Sequence, residues 1–146
     1  MKCISSFVLG ALLALSSSTS AQGLCVMGTY GQGCGPVLTG STVRNGNTQR
    51  VTFAMTEGRP DAVVLFMIGF NELNIPIPGT NGCALLTDLA FSQFHRTNSV
   101  GEYSFSRALP SDPTGPTIRV QMLEITIDGV GQPVLRTTNG VTMSCP

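Results

Sequence analysis

The chain has a single histidine, His95, and a single lysine, Lys2, so general-base chemistry has few candidates. Asp88 and many serines stand available for a triad around His95, but no G-x-S-x-G elbow presents a nucleophile. His95 therefore reads as a polar residue near a strand end. Glycosidase carboxylates converge from distant strands, so spacing does not exclude the eight Asp and Glu residues from that role. Sugar clefts, however, offer aromatic platforms, and this chain has no Trp and only Tyr30 and Tyr103. Asp112 and Asp128 sit singly in turns, without the D-x-D-x-D clustering of a calcium loop. Glu57 and Asp61 flank Gly58-Arg59-Pro60 and read as turn residues rather than a working carboxylate pair. Gly31-Gln32-Gly33 lacks the strand, helix and lysine that a phosphate loop requires. The sequence thus predicts no catalytic residue, no metal ligand and no cofactor.

Cysteine chemistry is the stronger signal. Residues 1–21 carry a basic start at Lys2, an apolar run from Ile4 to Leu15 and a small-residue end at Ala21, the pattern of a secretory signal peptide. Its apolar core is too short for a membrane anchor, and Leu24 before Cys25 argues against lipidation. Cys3 leaves with the leader. Cys25, Cys34, Cys83 and Cys145 remain, an even count that implies two disulfides among three possible pairings. We favour Cys34–Cys83 and Cys25–Cys145, the second tying the chain ends together. No two of the four stand at the close spacing of finger-type zinc sites.

Without the leader, seven arginines face eight acids, and only 11% of the whole chain is charged. That balance excludes a basic nucleic-acid footprint and an acidic tail. Arg50, Arg107 and Arg119 are expected on exposed strand faces, in a cross-strand polar ladder.

The elements that must position these residues are strands. Ala62–Phe70 is uncharged, rich in β-branched and aromatic residues, and preceded by the turn Arg59-Pro60-Asp61. It predicts a central strand buried on both faces. Around it stand weaker, alternating candidates: 37–43, 49–55 with Val51, Phe53 and Met55 inward, 82–86, 102–106 and 117–127. Residues 22–35 are too glycine-rich for a helix and read as a loop stapled by Cys34. Asn45-Gly46 and Asn139-Gly140 read as hairpin turns. Residues 71–82, with Pro76 and Pro78, read as an irregular crossing or as a proline-interrupted strand confined to a sheet edge. Seven or eight short strands at this spacing predict one all-β domain over residues 22–146. We expect an antiparallel β-sandwich, immunoglobulin-like or jelly-roll, with two disulfides and a core of Phe53, Phe66, Ile68, Phe91, Phe105 and Val120.

The ordered set Tyr30-Gly31-Gln32-Gly33-Cys34, Leu65–Phe70, Gly82–Leu86, Leu109-Pro110, Val120–Leu123 and Thr138–Val141 resembles a family of small exported bacterial domains of unknown function. The likeness spans nearly all the chain after the leader. It implies a β-sandwich with a disulfide between Cys34 and Cys83 and carries over no catalytic residue. The extra pair Cys25 and Cys145 departs from that family, as does a domain with no enzyme or repeat in front.

The expectation for function is a non-catalytic secreted structural or adhesive protein, a matrix component or fibre subunit at the cell surface. Its partners would be copies of itself, paired through the Gln22–Thr29 arm, or surface glycans and other secreted proteins. The alternative is a carbohydrate- or ligand-binding module using loops 71–82 and 108–116; a hydrolase ranks last. Location is secreted or cell-surface, or the periplasm, with no nucleic acid partner and no membrane span after leader removal.

Overall fold

The computed structural model describes residues 23–146; the leader expected over residues 1–21 lies outside them. The described chain is all-β. Its strands are β1 (Val26–Tyr30), β2 (Val37–Asn45), β3 (Thr48–Thr56), β4 (Val63–Gly69), β5 (Glu72–Pro76) and β6 (Ala84–Thr87), then β7 (Phe91–Arg96), β8 (Tyr103–Pro110), β9 (Ile118–Ile127), β10 (Pro133–Thr137) and β11 (Gly140–Ser144). A large sheet runs β1-β11-β9-β4-β7, with β10 also on β9, and a small sheet runs β2-β3-β8. Every pairing is antiparallel. The two sheets pack as a sandwich, and the hairpin β5–β6 forms a further layer.

The predicted central stretch is β4, paired on one side with β9 and on the other with β7. Val64 and Phe66 point at the small sheet and are fully buried with Leu38, Phe53, Met55, Val120, Met122 and Val141. Each such side chain contributes about 1.5–3 kcal/mol by leaving water. Phe66 sits 6.2 Å from Phe53 and 4.9 Å from Phe105, ring centre to ring centre. On the opposite face Met67 and Gly69 are buried, while Val63 and Leu65 are only partly so. The two-faced burial expected for the whole stretch therefore holds only at its Met67–Gly69 end, because a short hairpin, not a full sheet, covers that face.

Gln121, one residue from the core-facing Val120 and Met122, points to that outer face and is fully buried under the hairpin. Its Nε2 donates to the carbonyls of Ala84 and Thr138, and its Oε1 accepts the Leu86 N–H. One amide thus satisfies three backbone groups that would otherwise be buried without partners.

The last residue of β4, Gly69, must be glycine for a steric reason: a Cβ there would stand 2.1 Å from both the Asp88 carbonyl and its Oδ1. The Asp88 carboxylate accepts the N–H groups of Phe70 and Asn71, so strand and following segment lie in direct contact.

Three sequence expectations need correction. Part of the segment read as a loop over 22–35 is β1, paired along its length with β11; glycine content masked a strand that relies on its partner rather than on propensity. Asn139-Gly140 is not a hairpin turn. β10 and β11 run in succession along one edge of β9, and Asn139 lies at the break. Its Oδ1 accepts the Leu38 N–H and its Nδ2 donates to the Leu38 carbonyl, so a side chain serves β2 as a strand neighbour would. Asp128 sits in a turn as expected: the hairpin there joins β9 to β10, and Asp128 Oδ1 accepts the N–H groups of Val130 and Gln132. Lastly, Phe91 is 53% exposed rather than core, because it lies on an edge strand. Asn45-Gly46 does turn β2 into β3, with Gly46 at φ 60°.

Candidate functional site

Both disulfides have the favoured pairing, Cys25–Cys145 and Cys34–Cys83. Cys25–Cys145 joins the residues flanking β1 and β11, and the Cys25 N–H donates to Gln49 Oε1 on the small sheet, 2.9 Å away. On this side β1 also lies against β2, and Met27 packs onto the core. The sandwich is closed there. Cys34–Cys83 holds the loop before β2 to the β5–β6 hairpin.

The opposite side is built differently. β7 and β8 are the outermost strands of their sheets and are not hydrogen-bonded to each other. Register places Phe91, Gln93 and His95 opposite Ile68, Phe66 and Val64, on the inner face of β7. Alternation places Tyr103, Phe105, Arg107 and Leu109 on the inner face of β8. At one end His95 stacks on Tyr103, with ring centres 4.6 Å apart. Burial pushes the Tyr103 hydroxyl above its ordinary pKa. Away from that stack the sheets separate around an apolar cleft of about 320 Å³.

Ile68, Phe91, Ile118 and Met143 line the cleft from the large sheet, and Val51, Phe53, Phe105 and Leu109 from the small one. Gln93 and Arg107 supply its polar side chains, both from the edge strands. Arg107 was expected on an outward face. The correction follows from strand length: β8 continues to Pro110, which carries the inward series Tyr103, Phe105 past Ser106 to Arg107 and Leu109. Arg107 is exposed and joins no ion pair among the described residues.

Other sequence candidates are scattered. Asp88 is engaged with Phe70 and Asn71, and hydrogen bonds from the Asn71 backbone and side chain are the main causes holding its carboxyl below the ordinary value. It is not paired with His95, whose Nε2 is buried without a hydrogen-bond partner. Glu57 and Asp61 are turn residues with φ of 61° and 54°. Arg119 donates to the Phe70 carbonyl, on the outer face of the large sheet, while Arg50 is exposed on β3. Of the loops expected to form a binding site, 71–82 includes β5 of the hairpin layer and 108–116 begins in β8 of the small sheet.

A larger hollow of about 490 Å³ lies beside Cys34–Cys83, under Pro78–Asn81. Its only charged lining residue, Arg136, is engaged elsewhere, donating from Nε and a terminal nitrogen to Glu124 Oε1. Glu124 is fully buried on the inner face, and its other oxygen accepts the Arg59 N–H. Sequence reading passed over this pair, although a Glu following Ile118, Val120 and Met122 at the same two-residue spacing was a visible signal. Among the described residues no cluster of three His, Cys, Asp or Glu could hold a metal, and no helix is long and apolar enough to cross a membrane.

Compared with known proteins, the chain matches no family model, no curated sequence and no solved structure.

Proposed function

We propose that this is an exported, non-catalytic structural or adhesive protein that works by pairing its β7 edge, first of all with a second copy of itself. The observation that carries this reading is β7: an outermost strand of the large sheet, with Phe91 and Phe94 53% and 66% exposed. Exposed apolar edges are association sites, and most proteins blunt them. Phe70 and Leu89, at the same end of the strand pair, add to the exposed apolar surface.

Topology favours a closed dimer over a fibre. The other edge of the large sheet, β1, lies against β2 and is anchored beside the Cys25–Cys145 bond. The Gln22–Thr29 arm is therefore a poor donor strand, since Val26–Tyr30 already pairs with β11. An edge strand that pairs with its own copy does so about a two-fold axis, antiparallel, and the pairing closes there. Two disulfides are compatible with the periplasm or the exterior and fit the leader pattern of residues 1–21. The separation of His95 from Asp88 supports a role without catalysis. The likeness to small exported bacterial domains points the same way.

The test is sedimentation equilibrium on the protein with both disulfides intact, beside assembly on the secreting cells. Dimer is expected in the micromolar range for the native chain and monomer for Phe94→Lys, which puts a charge on the exposed edge without touching the core. A monomer at high concentration, with no assembly on cells, removes the reading.

A further inference from the structure

We propose that the cleft between β7 and β8 binds one unbranched alkyl chain ending in a carboxylate, roughly ten carbons long, with Arg107 as the partner of its head group. This goes beyond the edge-pairing reading; the two share Phe91, but each has its own probe, Phe94 on the outer face of β7 and Arg107 on the inner face of β8.

Shape comes first. Met143, Ile118, Ile68 and Phe91 belong to β11, β9, β4 and β7, four successive strands of the large sheet. With strands about 4.8 Å apart, this floor runs roughly 14 Å, across the strands rather than along them. Phe53, Phe105 and Leu109 face it from the small sheet. Two residues beyond Met143 stands Cys145, whose disulfide partner Cys25 donates its N–H to Gln49 Oε1, and Gln49 Nε2 donates to the Pro110 carbonyl. The volume of 320 Å³ is at the lower end of small-molecule sites. An extended hydrocarbon advancing about 1.3 Å per carbon, on bonds of about 1.5 Å, spans 14 Å with roughly ten carbons.

Chemistry narrows the occupant. The walls are carbon, so sugar hydroxyls or peptide amides laid along them would lose hydrogen bonds to water without replacement. A peptide strand added to β7 or β8 would run along the mouth, perpendicular to the cleft, and leave its floor empty. The two polar side chains, Gln93 and Arg107, stand on the edge strands where the chain enters. Arg107 makes no ion pair among the described residues, and a guanidinium fork matches a carboxylate with two parallel hydrogen bonds. A neutral or cationic head group leaves that fork unused.

The experiment is calorimetric titration of the disulfide-bonded chain with sodium decanoate below its micelle concentration, beside octanoate, decanol and decyltrimethylammonium. Methyl NMR of Ile68 and Ile118 follows the same additions in the native chain. The expected result is one decanoate per chain, perturbation of both isoleucine methyls, and about four-fold weaker binding for each methylene removed. Decyltrimethylammonium should not compete. Arg107→Gln, at an exposed position, should weaken decanoate about tenfold and leave decanol unchanged. Absence of binding overturns the proposal, as does equal affinity for decanoate and the cationic analogue, or an Arg107→Gln variant that binds decanoate as the native chain does. Self-association scored with Phe94→Lys stands or falls separately.

Discussion

Replacing Arg136 with Met should be among the most damaging single changes outside the apolar core. Glu124 is 0% exposed and Arg136 24% exposed, so the carboxylate depends on this guanidinium while the guanidinium retains some contact with water. Removing one partner of a buried pair costs about 3–5 kcal/mol, because the remaining charge has lost its compensation. The partial exposure of Arg136 and the surviving Arg59 N–H bond place Arg136→Met near the lower end, about 3 kcal/mol. Glu124→Leu should cost about 2 kcal/mol, since Arg136 can turn to water but the Arg59 N–H loses its acceptor. The double change Glu124→Leu with Arg136→Met should cost only about 1–2 kcal/mol, because two apolar side chains replace two charges. Urea unfolding at neutral pH measures all three, and a loss of 3 kcal/mol lowers the midpoint by roughly 1–3 M at ordinary urea sensitivities. The reasoning is refuted if Arg136→Met costs under about 0.5 kcal/mol, or if the two single losses simply add.

Other consequences follow from the same contacts. Gly69→Ala would drive a Cβ into the Asp88 carbonyl and should destabilise by about 1–3 kcal/mol, read as a lower denaturation midpoint. Cys25 and Cys145 are 120 residues apart, so replacing both with Ser frees a long loop worth roughly 5 kcal/mol in the chain-entropy model; thermal unfolding should drop far below that of the native chain, with the β1 amides exchanging first. Asp88 has a folded pKa below its unfolded value, so its stabilising effect is present above the ordinary carboxylate range and fades as pH falls through the folded pKa. The native chain should therefore lose stability on acidification through that range more steeply than Asp88→Asn, as measured by midpoint against pH.

Much of the architecture was legible in residue order. Ala62–Phe70 announced itself by an uncharged, β-branched and aromatic run, and it is a central strand, β4, with β9 and β7 beside it. Val51, Phe53 and Met55 alternate inward as expected, and all three are buried. The cysteines paired as favoured, since an all-β chain brings distant segments together in neighbouring strands.

What escaped sequence reading was set by partners rather than by pattern. Gln121 and Glu124 are polar letters in a strand, yet both are fully buried, because a hairpin covers one and an arginine neutralises the other. Asn139-Gly140 has hairpin composition, but the chain steps along β9 there and the Asn amide binds β2 instead. Phe91 looked like core and is half outside, since being apolar does not reveal whether a strand is central or at an edge. The cleft depended on that same missing fact: only when β7 and β8 are known to be outermost does inward-facing Arg107 become a charge at the mouth of an apolar space.

The central claim is that this sandwich is closed along β1–β2 and meets its surroundings along β7. Amide hydrogen exchange at low and high protein concentration tests it most directly. Slower exchange confined to the peptide covering Phe91–Arg96 at high concentration, with β1 unchanged, is the predicted result. Concentration-dependent protection at Val26–Tyr30, or none on β7, contradicts it.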